Sequence, residues 1–267
     1  MMVCSRLAAI LQEMGLTQVL LVTGGSRGIG AAVAVLAAQR GYAVAVNFHS
    51  QRAAADAVVA QIVAGGGQAI AVQADVAVEA EVMAMYAQVD AWALSLHGRL
   101  TALVNNAGVV DLPSRVDAMD VARLKRMFDT NIVGSFVCAR EAVRRMSTRH
   151  GGKGGAIVNV SSAAARIGSP GQYVDYAASK GAIDVFTMGL AKEVAAEGIR
   201  VNAVRPGIID TDIHASGGQP DRVAHMAAQV PMQRGGSAME VAQAILWLLS
   251  DEASYTTGSV VDVTGGR

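Results

Sequence analysis

Thr23-Gly24-Gly25-Ser26-Arg27-Gly28-Ile29-Gly30 follows directly on an apolar run, Val19-Leu20-Leu21-Val22, and opens onto an alanine-rich segment, Ala31 to Arg40. The order is strand, glycine turn, helix. Glycine reaches positive φ and lets backbone N–H groups come close to a ligand. A helix N-terminus adds about half a positive charge aimed at the same spot. Such a turn is an anion site, and its expected occupant is the pyrophosphate of a dinucleotide. The spacing Gly24-x3-Gly28-x-Gly30 departs from the commoner G-x-G-x-x-G. An ordinary tight turn between strand and helix is the competing reading of these residues alone.

Outward from this turn, short apolar runs alternate with longer helical stretches. The runs Val19–Thr23, Ala43–Asn47, Ala69–Gln73, Ala102–Asn105, Ala156–Ser161, Ile199–Val204 and Ser259–Asp262 read as strands. They are continuous Val/Ile/Leu segments rather than alternations, the signature of strands covered on both faces. Helices are expected near Ile29–Arg40, Gln51–Ala64, Glu79–His97, Asp120–His150, Tyr173–Glu197 and Ala238–Ser250. The pattern predicts an α/β fold, a single doubly wound parallel sheet of about seven strands with helices on both faces. The clusters Gly65-Gly66-Gly67 and Gly151-Gly152-Lys153-Gly154-Gly155 read as helix exits. Residues 18–267 are expected to form one domain. Residues 1–17 are expected to be a weakly structured extension, with Met14 a candidate natural start.

Composition excludes several functions. The chain of 267 residues carries 22 basic and 22 acidic side chains, so no charge surplus points to nucleic acid or to a charged partner. Aromatics make up only 4%, so Ala, Val, Gly and Leu must fill most of the core. Cys4 and Cys138 cannot build a disulfide framework, and neither they nor the histidines show metal-ligand spacing. A reducing cytoplasm and no metal are the expectations. No apolar run approaches membrane-spanning length, so no membrane partner is expected.

In an open α/β sheet the ligand lies beyond the carboxyl ends of the strands. There Tyr176-Ala177-Ala178-Ser179-Lys180 sits on an expected helix, and positions four apart share a face. A cation beside a phenol favours phenolate and draws its pKa down from about 10. Such a Tyr can give a proton to a carbonyl being reduced or take one from an alcohol being oxidised. Ser161-Ser162, after the preceding strand, offers a hydroxyl for the substrate oxygen. A surface Tyr–Lys pair and a turn serine are the plainer readings of each piece alone.

These pieces together with Asp75-Val76, Asn105-Asn106-Ala107-Gly108, Asn131 and Pro206-Gly207 stand in one order along the chain. In that order they resemble the short-chain dehydrogenase/reductase family, and among its members the acyl-carrier-protein ketoreductases and sugar dehydrogenases. The resemblance implies a Rossmann-type fold and a catalytic set. Tyr176 would be the acid/base, and Lys180 would bond the nicotinamide ribose and hold the Tyr pKa down. Ser162 would hold the substrate oxygen, and Asn131 would anchor a proton-relaying water. Ser162 precedes Tyr176 by 14 positions where many members use 13; Ser161 is the alternative, and Asn131 can also simply bond locally within its helix. Cofactor contacts are implied for Gly24, Ser26, Arg27, Gly28, Ile29 and Gly30 in the turn, Asn47 and Ser50 after the second strand, and Asp75 and Val76 at the adenine. Asn105, Ala107 and Gly108 would pass close to the cofactor. Pro206, Gly207, Ile209 (or Ile208) and Thr211 would fix the carboxamide, with Tyr176 and Lys180 at the ribose. Asp75 as the cap of the helix near Glu79 is an equal alternative.

The second strand ends Val46-Asn47-Phe48-His49-Ser50 with no carboxylate before Asp56. A carboxylate there would repel a 2′-phosphate, and Arg27 can pair with one, with Ser50 and Arg52 beside it. NADP is therefore favoured, with NAD possible. The substrate is expected to be a small carbonyl or alcohol, and the segment near 208–232 a lid over it, with Asp221–Val230 helical between Pro220 and Pro231. The basic run Arg144-Arg145-Met146-Ser147-Thr148-Arg149-His150 would suit an acidic carrier protein. A sugar or polyol dehydrogenase and a non-catalytic NADP-binding sensor remain as alternatives. The resemblance implies a homotetramer or homodimer, for which Val133, Phe136, Val137, Ile183, Phe186 and Leu190 offer apolar surface or core.

Overall fold

The computed structural model describes residues 16–267. The expectation of a weakly structured extension falls almost wholly outside them. All seven expected strands form. They are β1 (Thr17–Val22), β2 (Ala43–Phe48), β3 (Ala69–Gln73), β4 (Gly98–Asn105), β5 (Gly155–Val160), β6 (Ile199–Pro206) and β9 (Val260–Val263). They pair in parallel in the order β3-β2-β1-β4-β5-β6-β9. β1 is entered from both sides, so the strand order reverses between β1 and β4, where a crevice must open. β7 (Ile209–Asp210) and β8 (Gly236–Ser237) form a separate parallel pair that the sequence does not announce; two-residue strands carry no periodicity to read.

The sheet is covered on both faces, which is why its strands are apolar throughout. One face packs against α1 (Gly28–Gln39), α2 (Arg52–Ala64) and α10 (Ala238–Leu249), with Leu20, Val22, Val46, Val104 and Val158 fully buried beneath them. The other packs against α3 (Glu79–Ser95), α5 (Gly134–Met146) and α7 (Val174–Val194), over Val19, Leu21, Leu103 and Ile157. Each such side chain stabilises the fold by roughly 1.5–3 kcal/mol relative to exposure. Side chains in α1 are small on the buried side (Gly30, Val33, Ala34, Ala37), so the helix lies close on the sheet.

The stretch expected as one helix over Asp120–His150 is divided. α4 (Val121–Phe128) starts at Asp120, whose carboxylate accepts from the Arg123 N–H at 2.7 Å. A π-helical turn, Asp129–Val133, links it to α5. Among the described residues, the short helices α6 (Ala164–Ile167), α8 (Ile213–Ser216) and α9 (Arg222–Ala227) and several 3-10 turns join the β7–β8 pair already given. α9 is shorter than the Asp221–Val230 expected. Among the described residues no helix is long and apolar enough to cross a membrane, and no cluster of His, Cys, Asp and Glu could hold a metal.

Candidate active site

A cleft of about 850 Å³ runs over the carboxyl ends of the strands, across the reversal point between β1 and β4. The glycine turn floors one end. Gly24 (φ +60°) and Gly28 (φ +54°) hold a left-handed backbone that other residues rarely adopt. A Cβ on Gly30 would collide with Gly24 O and Asn106 Nδ2, so Gly30 acts beneath the turn, not in the cleft. α1 then begins at Arg27 with no side-chain cap bond and no acidic residue in its first turn. Its first N–H groups and the positive end of its dipole are free to meet an anion.

Three polar side chains hold this turn, and only one was expected to matter. Asn47 is buried at the edge of the cleft, and its side chain is turned onto the backbone. Its Oδ1 accepts from the Gly24 N–H at 3.1 Å, while its Nδ2 donates to Ala74 O at 3.1 Å and Val72 O at 3.3 Å. Asn106 donates through Nδ2 to Thr23 O and Gly24 O, each at 2.9 Å. Thr23 Oγ1 accepts from the N–H groups of Asn106 and Ala107, each at 3.0 Å. Thr23 and Asn106 were missed as site residues. Their signal was present, a hydroxyl closing β1 and a second Asn closing β4, but only tertiary packing pairs them.

The Asn105 side chain is likewise turned inward. Its Nδ2 donates to Asn159 Oδ1 at 3.0 Å and Ser135 O at 3.1 Å, below the cleft, and Asn159 donates on to Thr187 Oγ1 at 2.9 Å. It ties β4, β5, α5 and α7 together. Its own Oδ1 is buried without a partner. Asp75 and Val76 border the cleft. Asp75 does not cap α3; its Oδ1 accepts from the Ala77 N–H at 2.9 Å in a local turn, and Glu81 reaches back to the Asp75 N–H at 2.7 Å. Arg27, His49 and Ser50 border the cleft beyond the end of β2, whereas Arg52 is spent on Asp56 at 2.9 Å.

At the other end Tyr176 and Lys180 face the same cleft from α7, with Lys180 Nζ 5.7 Å from the Tyr176 ring centroid. Lys180 Nζ donates to Val160 O at 2.8 Å, and burial pushes its pKa down to about 8 against the opposing pull of Asp184. The Tyr176 phenol is not lowered as expected. Burial raises it, and a bond with the Ser162 hydroxyl works the other way. Desolvation wins because it acts on the whole phenolate. Ser161 and Ser162 both border the cleft, but Ser161 is buried and its hydroxyl is spent on Lys180 O at 3.2 Å.

Asn131 is fully buried in the π-helical turn. Its Oδ1 accepts from the Val109 N–H at 2.8 Å, and its Nδ2 donates to Val109 O at 3.0 Å and Ser179 Oγ at 3.1 Å. Its amide thus fixes the chain after Gly108. A Cβ on Gly108 would lie 3.3 Å from Asn131 Oδ1 and 3.5 Å from Lys180 Nζ, so the three meet at one point. Ser26, Ile29, Ala107, Pro206, Gly207, Ile209 and Thr211 all border the cleft; the Thr211 methyl packs on Gly28, and its hydroxyl donates to Ile209 O at 3.4 Å.

The remaining wall comes from α4, the start of α7 and the segment after β7. Arg123 is buried and forks onto Asp175, Nε to Oδ2 at 2.8 Å and Nη2 to Oδ1 at 3.2 Å, with Nη1 on Leu112 O at 2.6 Å. Tyr173 donates to Gly217 O at 3.2 Å, and Arg222 of α9 lies over its ring at 5.3 Å. His214 Nε2 bonds Ile209 O at 2.9 Å, and burial lowers its pKa.

Comparison with known proteins agrees with this geometry. Residues 24–267 match a family described as enoyl-(acyl carrier protein) reductase. The chain is 57% identical to the uncharacterized oxidoreductase YgfF of Escherichia coli over 92% of this chain and 98% of that one. It is 38% identical to the 3-oxoacyl-(acyl-carrier-protein) reductase FabG of Staphylococcus aureus, over 95% and 99%. A crystal structure of a dehydrogenase/reductase from Sinorhizobium meliloti superposes with a TM-score of 0.82 at 32% identity, covering 93% of this chain and 94% of that one.

Proposed function

The chain belongs to the short-chain dehydrogenase/reductase family and is an oxidoreductase, and from that premise we propose that it exchanges a hydride between NADP and a ketone or secondary alcohol. The observation that carries this reading is Tyr176 and Lys180 bordering one cleft with Ser162, opposite a glycine turn built for an anion. The residues fit a dinucleotide. The left-handed Gly24 and Gly28 and the uncapped start of α1 suit its pyrophosphate, and the 850 Å³ cleft reaches from that turn to Tyr176. Arg27 and Ser50 would take the 2′-phosphate, Asp75 and Val76 the adenine, and Lys180 the nicotinamide ribose. Pro206, Gly207, Ile209 and Thr211 would hold the carboxamide. When bound, the nicotinamide supplies or accepts the hydride.

The protein's own part is to orient the substrate oxygen and move one proton. Ser162 donates to the carbonyl oxygen, and Tyr176 Oη, kept protonated by burial, gives its proton to the same oxygen as negative charge develops there. In the oxidative direction Tyr176 Oη takes that proton back. Lys180, cationic below about pH 8, favours the charged form of the phenol at the moment of transfer. Asn131 acts as a positioning residue through Val109. A relayed water would have to bond its backbone carbonyl, which already accepts from Ser135 Oγ at 3.1 Å and has a second lone pair.

The acyl-carrier reading draws less support. Arg144 and Arg145 are spent on Glu141 at 2.8 and 2.9 Å, and Arg145 also on Asp90 at 2.7 Å, so the basic run offers little free charge. A homo-oligomer is proposed through the face that carries Val133, Phe136 and Val185, and a reducing cytoplasm suits the free thiol of Cys138.

Purified protein supplied with NADPH and a panel of ketones tests the reading. Tyr176→Phe should lower turnover by on the order of 10²–10⁴ while NADPH still binds. A variant that reduces ketones at the wild-type rate sinks it. Arg27→Ala should cost NADPH affinity and leave NADH affinity nearly untouched; an equal loss for both cofactors refutes the phosphate contact.

A further inference from the structure

Arg222 stands out among the charged groups along the substrate wall of the cleft. Arg123 and Arg126 are each closed by a carboxylate, Asp175 at 2.8 Å and Asp111 at 2.8 Å. Arg222 has no such partner among the described residues. Its bonds run from Nη1 alone, to Gln172 Oε1 at 3.0 Å and to Gln219 Oε1. The nearest carboxylates in sequence, Asp212 and Asp221, are exposed and make no ion pair with it. The guanidinium is half-buried, and its position is fixed by the Tyr173 ring under it and by the two glutamines.

Arg123 shows what such a guanidinium holds in this same wall. Its Nη1 is spent on a carbonyl oxygen, and its Nε–Nη2 edge forks onto a carboxylate. Arg222 repeats the division, with Nη1 on amide carbonyl oxygens and the Nε–Nη2 edge unspent. That edge is planar, cationic and spaced for two carboxylate oxygens. Tyr173, on which it lies, precedes Tyr176 by three positions, so both rings face the cleft from adjacent turns of the start of α7. Ile208, Ile213 and Val110 line the same cleft with apolar surface.

We propose that the substrate is a ketone or alcohol that also carries a carboxylate, and that the Nε–Nη2 edge of Arg222 holds that carboxylate while the carbonyl lies at Tyr176. One guanidinium with one free edge matches a single planar monoanion better than a phosphate, which would call for more positive charge. The proposal rests on the oxidoreductase reading and adds the substrate's chemical class.

Matched pairs test it: acetoacetate against methyl acetoacetate, and levulinate against methyl levulinate, with NADPH consumption as the signal. At least one acid should exceed its ester in kcat/KM by on the order of tenfold, mainly through KM. Arg222→Gln should erase that ratio, and Arg222→Lys should restore part of it. Esters equal to or better than both acids, or a ratio unchanged by Arg222→Gln, overturn the proposal while leaving the oxidoreductase reading intact. If no ketone is reduced, that reading fails on its own terms, and binding decides the present one. Calorimetric titration of the enzyme and NADP with valerate and with valeramide should show tighter binding of valerate in wild type only. Equal binding of the two, or the same preference in Arg222→Gln, overturns the assignment.

Discussion

Lys180, proposed to act at the nicotinamide ribose, opposes the fold that carries it. It is buried, its pKa falls from 10.5 to about 8, and no carboxylate touches it. A depressed lysine pKa means the unfolded chain binds the proton more readily. The penalty is therefore complete below about pH 8 and disappears as pH rises past 10.5. A shift of that size corresponds to about 3 kcal/mol, against roughly 1.5–3 kcal/mol for a bond from a charged ammonium to Val160 O. Lys180→Met should accordingly stabilise the ligand-free protein by up to about 1 kcal/mol near neutrality while removing activity. Urea unfolding at pH 7 and at pH 10 checks this: the gain should shrink at the higher pH, and a variant less stable at pH 7 contradicts it. Asn47, Asn105 and Asn106 give the complementary lesson at this scale. Three similar side chains at strand ends have three fates, and only hydrogen-bond partners far along the chain distinguish them.

At the scale of elements, α7 joins the cleft to the core. Tyr176 and Lys180 face the cleft from its first turns, and the same stripe of the helix continues into the buried Ile183, Thr187 and Ala191. Ile183 is thus core, not the association surface it was weighed for. Beside α7, the π-helical turn before α5 widens the helix at Asn131, letting its amide reach both backbone groups of Val109. Nothing in the residue types Asp129-Thr130-Asn131-Ile132-Val133 announces this. An added backbone residue per turn is a response to packing rather than to local propensity. α5 also buries Cys138, and desolvation pushes its thiol up to about 12. Thiolate is the reactive form, so Cys138 should resist iodoacetamide in the native protein and react only on unfolding. Peptide mass spectrometry with and without denaturant reads this directly. Rapid labelling of Cys138 under native conditions contradicts its placement.

Across the whole molecule, Phe136 stacks on Phe186 with centroids 3.8 Å apart, amid exposed Val133, Val185 and Met188. An apolar patch joining two long helices is costly to leave in water. Val185→Glu should shift the protein to a smaller species in light scattering with little loss of folded structure, since its side chain is 66% exposed. An unchanged mass places the self-contact elsewhere.

The sequence by itself determined the α/β class, the seven parallel strands and the ends at which a ligand must lie, because doubly covered strands and glycine turns are written in local composition. Spacing and order also single out Tyr176, Lys180 and Ser162, which the fold brings to one cleft. Tertiary structure alone decided the strand order, the π-helical turn and the β7–β8 pair. It turned Asn47 and Asn105 inward, brought Thr23 to Asn106, and left Arg222 without an acid where Arg123 found one. Those outcomes depend on which groups remain unsatisfied once distant segments meet, and residue spacing along a chain does not encode that.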